Sequence, residues 1–254
     1  MQLTIKDAFE VLAKIANDRL GRLVLVGGQD AAFWIARYDI ADPKVVTTRE
    51  IDVFLSEAEL SIVLECAKDL GGSLKLVKEP RVPDLARVRL EMNGAELQID
   101  FLRSLHRISA SEVIDNKVLV KERGKSLFVI RPVFMLASRL FNTFELRGRL
   151  TENLERLRLS IRAVRAYLIE GLASGETPPA ADVLPGIEKI FDLAITRAGI
   201  QAWQDHDIDV FNAVPDQSEL LNCPQPFLEK RRPQMLRELA RKRKRRGRSK
   251  VRQR

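Results

Sequence analysis

Cysteine and histidine are scarce, with two of each in 254 residues. Neither Cys66 nor Cys223 belongs to a C-x-x-C pair, which argues against a zinc module or a disulfide-stapled scaffold. Cys66 falls in an apolar helical pattern and reads as a small core residue. A reduced, cytoplasmic protein is the natural expectation. Long apolar runs are also lacking: none approaches the roughly 18 residues of a membrane-spanning helix, so no membrane insertion is expected. The opening MQLTIKDAFEVLAKIAND carries acidic residues at helical spacing and no small-residue cleavage site, so a structural helix is expected there, not a signal peptide. No internal repeat is visible.

What is present is a core and an uneven charge. Hydrophobic residues make up 45% of the chain, enough to bury one large domain or two modest ones. The net charge of +8 conceals two regions. Residues 229–254 hold 14 Lys/Arg against 2 Asp/Glu, and the remainder holds 29 against 33. A mildly acidic body therefore carries a strongly basic end.

Periodicity organises the body. Residues 3–20 place Phe9, Leu12, Ile15, Ala16 and Leu20 at helical spacing up to Gly21. RLVLV (22–26) is β-rich and leads directly into Gly27-Gly28 and a helical stretch to Tyr38. Residues 39–48 read as a loop and 50–55 as a strand. A helix is expected from Ser56, whose Glu59 completes a capping-box pattern, to Gly71-Gly72. Strands are expected over 73–79, 86–92 and 95–102, the last two joined by a tight turn at Asn93-Gly94. Residues 116–132 read as a further hairpin turning near Arg123-Gly124. Helices then dominate, over about 132–146, 150–173, 182–198 and from 226 onward. The expected fold class is α/β (α+β): a mixed sheet with flanking helices over 1–131, a helical domain over 132–228, and a basic, mobile tail over 229–254.

One constellation carries chemistry. Glycines after a strand let backbone N–H groups approach a phosphate, and the following helix presents its unpaired N–H groups and positive dipole end. Gly27 and Gly28 occupy such a place. Two acidic residues at i and i+2 of a strand share one face and can reach the same metal ions. Glu50 and Asp52, in TTREIDVFL, have that spacing. Asp100, in LQIDFL, stands in a neighbouring strand and supplies a third carboxylate. Acids inside otherwise apolar strands need a cation or a partner, and Arg49 and Arg103 are candidates.

These residues resemble the DNA polymerase β-like nucleotidyltransferase superfamily, most closely its AbiEii-like, toxin-type branch. The shared pattern runs from Val26-Gly27-Gly28 through Thr48-Arg49-Glu50-Ile51-Asp52 to Asp100, and covers about residues 5–170. The resemblance implies a nucleotidyltransferase fold and a two-metal Mg²⁺ site held by Glu50, Asp52 and Asp100. It implies an NTP bound through Gly27, Gly28, Gln29 and Thr48, and transfer of NMP to an RNA (tRNA) or protein hydroxyl. A cognate antitoxin is an implied partner. Three departures stand out. Glu50 replaces the usual Asp, Gln29 replaces a common Ser or Thr, and Arg139 lies where the family often has Lys. Arg binds phosphate in a bidentate manner.

Two decoys test the pattern. Gly71-Gly72-Ser73 matches the glycine motif more closely in letters, but it follows a helix and precedes a strand, so a left-handed helix stop is expected. Asp207-Ile208-Asp209 matches the acidic motif more closely, but it stands in the helical half with no strand–glycine–helix unit before it. Trp34, Phe128, Phe134, Phe141 and Phe144 are expected in the core. Trp203 is assigned to neither core nor site, and His106 and His206 are read as structural. The tail holds no aromatic residue and almost no apolar one after Leu239. It is expected to attract polyanions through counterion release without reading sequence. The rival reading is a catalytically degenerate relative that binds nucleic acid or a partner protein through this tail.

Overall fold

The computed structural model describes residues 4–41, 50–55, 59–79, 82–92, 94–122, 124–146, 150–174, 180–220 and 222–251. The chain divides into two compact units, Met1–Arg139 and Leu140–Arg254.

The first unit is built on a seven-stranded mixed sheet in the order β3-β4-β5-β2-β1-β7-β6. Its strands are β1 (Val24–Val26), β2 (Glu50–Phe54), β3 (Ser73–Leu76), β4 (Asp84–Met92), β5 (Ala95–Leu102), β6 (Lys117–Glu122) and β7 (Lys125–Ile130). Around them lie α1 (Ile5–Leu12), α2 (Asn17–Leu20), α3 (Gly27–Arg37), α4 (Leu60–Leu70), α5 (Ala110–Asp115) and the start of α6 (Pro132–Glu145). In the central strands Val24, Leu25, Ile51, Val53 and Phe54, with Leu23 just before β1, are all essentially inaccessible. β1 is a continuous apolar run buried throughout, whereas β2 alternates, with Glu50 and Asp52 on one face and Ile51 and Val53 on the other. β2 runs antiparallel to β1 and parallel to β5. This places Asp52 beside Val26 on one side and Asp100 on the other. The mixed α/β architecture with flanking helices is therefore as expected.

Several boundaries differ from the periodicity, each for a tertiary reason. The first helix breaks after Leu12, because the chain turns at Ala16, whose ψ is 145°. The Ala16 N–H donates to Asp69 Oδ2 at 3.0 Å, and Arg19 chelates the same carboxylate at 2.9 and 3.0 Å. α4 begins at Leu60; Ser56, the expected cap, lies outside the described residues, and Glu59 pairs with Arg22 instead. α5 was not expected, although Ser109 and Glu112 form a reciprocal capping box.

The second unit is helical. It holds α7 (Leu150–Ser174), α8 (Ala180–Ile195), α9 (Arg197–His206), a 3₁₀ turn (Val210–Ala213), a π turn (Phe227–Arg231) and α10 (Arg232–Val251). The helix expected over 182–198 is two helices, because Thr196 takes an extended conformation and caps α9 through the Gly199 N–H at 3.0 Å. Leu157, Val164, Leu168, Val183, Ile187 and Ile190 form its core. The helix expected from 226 runs into the basic stretch as α10, with Met235 and Leu239 buried one turn apart. That spacing gives the helix one apolar contact stripe, which composition alone conceals.

Candidate active site

The centre of the sheet gathers the acidic residues. Glu50, Asp52 and Asp100 each offer a carboxylate oxygen within 4.8 Å of the others. The i,i+2 spacing on β2 puts Glu50 and Asp52 on one face, and the parallel register with β5 brings Asp100 level with Asp52. Like charges this close, in a poorly hydrated place, resist ionisation. Burial, then the charges of Asp100 and Glu50, push the Asp52 carboxyl up to about 7. Burial raises Asp100 as well, against a hydrogen bond from Gln98 Nε2, which reaches both its oxygens at 2.9 and 3.0 Å. Such a cluster has the donor set and electrostatics of a site for a hard divalent cation.

Gly27 explains itself through Asp52. It has φ +73°, and a Cβ at this position would stand 2.1 Å from Asp52 Oδ2. The carboxylate thus lies against the backbone that opens α3. Gly27 and Gly28 follow β1 and begin this helix, as the phosphate-binding arrangement requires. The Arg139 guanidinium donates to the Gly27 carbonyl at 3.2 Å and places a positive charge beside Asp52. Gln29 is fully buried, so its side chain lies inside the fold. Thr48 and Arg49 lie outside the described residues.

Four contributors were missed by sequence reading. Arg87 pairs in register with Asp100, its Nε lying 3.5 Å from Asp100 Oδ1, and it also pairs with Asp84. Arg103, considered as a partner, donates instead to the carbonyls of Val77 and Asp84, both at 3.1 Å. The signal for Arg87 was available: the tight turn at Asn93-Gly94 sets Met92 opposite Ala95 and hence Arg87 opposite Asp100. Asp84 owes its place to a register shift between Asp84 and Ala86, which no local pattern announces. Gln98 sits two residues before Asp100 on the same strand face. Asp30 is fully buried, and neither of its carboxylate oxygens finds a hydrogen-bond partner among the described residues. Burial raises its carboxyl well above the usual range, and the charge of Arg139 opposes the shift. The Trp34 indole, one turn along α3, donates to Ile130 O at 2.9 Å and also opposes the shift of Asp30.

The decoys have structural roles. Gly71 ends α4 in the left-handed conformation, with φ +66°. Asp207 ends α9 in the same conformation, and Asp209 caps the 3₁₀ turn through the Phe211 N–H at 2.9 Å while pairing with Arg243. Cys66 is buried, which pushes its thiol up to about 12. Phe128, Phe134, Phe141 and Phe144 are half-buried, and the His206 ring lies tilted beside Phe144 at 5.5 Å.

No protein-family model matches the chain, and no curated protein matches it. Among solved structures, it is similar to an antigenic nucleotidyltransferase-like protein from Paracoccidioides brasiliensis, with a TM-score of 0.47 and 11% identity over 87% of this chain and 99% of that one. It is also similar to the Megavirus polyadenylate synthase, with a TM-score of 0.40 and 12% identity over 85% of this chain and 46% of that one. The functional reading rests on the geometry of the site.

Proposed function

We propose that this chain is a Mg²⁺-dependent nucleotidyltransferase that moves NMP from an NTP to a hydroxyl of RNA, with tRNA as the class its sequence resemblance implies. The observation that carries the reading is the convergence of Glu50, Asp52 and Asp100 beside Gly27 at the start of α3. Glu50, Asp52 and Asp100 would hold the metal. A bound divalent ion supplies charge neutralisation at the reacting phosphate and lowers the cost of ionising three adjacent carboxyls. Gly27 and Gly28 bring backbone N–H groups to the triphosphate, and Arg139 adds a fixed positive charge beside them. The acceptor oxygen forms a bond to the α-phosphorus, the bond to the β-phosphate bridge breaks, and pyrophosphate leaves. Asp100, its proton affinity raised by burial, takes the hydroxyl proton. The toxin role and a cognate antitoxin belong to this proposal as its biological setting.

Incubation with each α-labelled NTP, Mg²⁺ and total RNA or protein tests it. Labelled RNA that disappears with Asp52→Asn supports the reading; no transfer from any NTP overturns it. A second reading is favoured by Arg87, which already gives Asp100 a cation. Under it the chain binds nucleic acid without catalysis, and Mg-NTP leaves its melting temperature unchanged.

A further inference from the structure

Helix α10 carries its charge in an ordered way. Met235 and Leu239 face the core of the second unit, and Arg243, one turn further on, pairs with Asp209 and lies over the Trp203 ring at 4.7 Å. These three positions fix the helix along one stripe. Arg237, Arg241 and Lys244 are exposed and share the opposite stripe, spanning about 10 Å at the helical rise. The single acid within α10 is Glu238, loosely paired with Arg241 at 3.8 Å. Like charges at i and i+4, such as Arg237 with Arg241, oppose helix formation until a counter-charge is present.

The chemistry of the face selects its partner. Beyond Ala240 the sequence offers one apolar residue, Val251, so the charged stripe itself gives a protein partner little apolar surface to bury. Arginine predominates, and its planar fork suits phosphate oxygens. Beside the stripe, Trp203 lines an open groove of about 770 Å³ with Gln204, Asp207, Leu236, Ala240 and Lys244. The basic segment has no aromatic residue of its own; the fold supplies one from α9.

We propose that α10 and the Trp203 groove form a docking site for single-stranded RNA, with phosphates along Arg237, Arg241 and Lys244 and one unstacked base in the groove. This deepens the preceding reading, in which RNA is the acceptor. Asp207 gives the groove a hydrogen-bond acceptor for a base amino group. The phosphate contacts carry affinity, and the groove adds stacking without strong base preference.

The test uses the full chain without NTP or metal, so it is independent of transfer activity. Fluorescence anisotropy is measured with a labelled, unstructured RNA oligonucleotide over a range of salt. The site predicts a log–log salt slope of about −2 for three neutralised phosphates. The triple variant R237E/R241E/K244E is expected to lose about 100-fold or more in affinity, Trp203→Ala about tenfold, and Trp203→Phe little. Of the two tryptophans Trp34 is buried, so RNA-dependent quenching that is absent in Trp203→Phe places the base at Trp203. Circular dichroism establishes that each variant is folded, and if Trp203→Ala is not, the Phe variant and quenching decide. Affinity untouched by the charge reversal, absent quenching, or equal binding of polyglutamate overturns the proposal. Transfer without this binding would leave the catalytic reading standing.

Discussion

The first glycines of the two pairs share a positive φ and have opposite uses. Gly27 and Gly71 have φ of +73° and +66°. A Cβ on Gly71 would meet nothing within 4 Å, whereas one on Gly27 would strike Asp52. The acidic pairs differ in the same way. Asp207 and Asp209 close a helix and open a turn, and Asp209 has its cation in Arg243; Glu50 and Asp52 stand with Asp100 in mutual repulsion. The structural acids cap or end elements one at a time, while the candidate metal site gathers three carboxylates in one place, with Arg87 and Arg139 beside them. Local letters do not distinguish the two cases, but neighbours do.

The sharpest break of this comparison is catalytic. Asp52→Ala is expected to lower nucleotidyl transfer by about a thousandfold or more, because several kcal/mol of metal-centred stabilisation go with it. Asp7→Ala, which removes an acid held in the capping box of α1, is expected to leave the rate within about twofold, measured in the same label-transfer assay. An equal loss in both variants would erase the distinction.

The next effect is on stability against pH. The folded Asp52 carboxyl is raised to about 7 from 3.8, so its contribution is fully present below pH 4 and is lost as the pH rises through 7. Without added divalent metal, urea denaturation is expected to show wild type losing roughly 3 kcal/mol relative to Asp52→Asn between pH 4 and 8. Mn²⁺ or Mg²⁺ should restore most of the difference. A constant gap across that range would show that the carboxyl is not enclosed.

Two smaller effects isolate the glycines. Gly27→Ala is expected to cost about 3 kcal/mol, from left-handed strain and the collision with Asp52. Gly71→Ala has only the strain and should cost about 1 kcal/mol. Chemical denaturation of both variants checks the ordering, and equal losses would mean that Asp52 moves aside freely. Trp34→Phe, which removes the hydrogen bond to Ile130, should cost about 1 kcal/mol in the same measurement.

Much of the mixed sheet was legible because strands and helices announce themselves by period. The hairpin at Gly94 and the run from β1 through the glycines into α3 are local features of a few residues each. The legible part of the site was likewise local: glycines after a strand, and acids at i and i+2. Asp84 and Arg87 depend on a bulge and on cross-strand register, and the extended Ala16 between α1 and α2 gives its N–H to Asp69, 53 positions away. Arg243 and Trp203 meet across α9 and α10, so the basic segment acquires an aromatic neighbour that its own composition denies.

By itself the sequence determined the order of elements, the positions of the carboxylates and the concentration of positive charge, because helical and strand periods and turn residues act within a few bonds. The tertiary structure alone decided which acids face one another, which find a cation, and which face of α10 is free. These outcomes depend on strand register and helix packing between residues far apart in the chain, where burial and charge proximity set the energy.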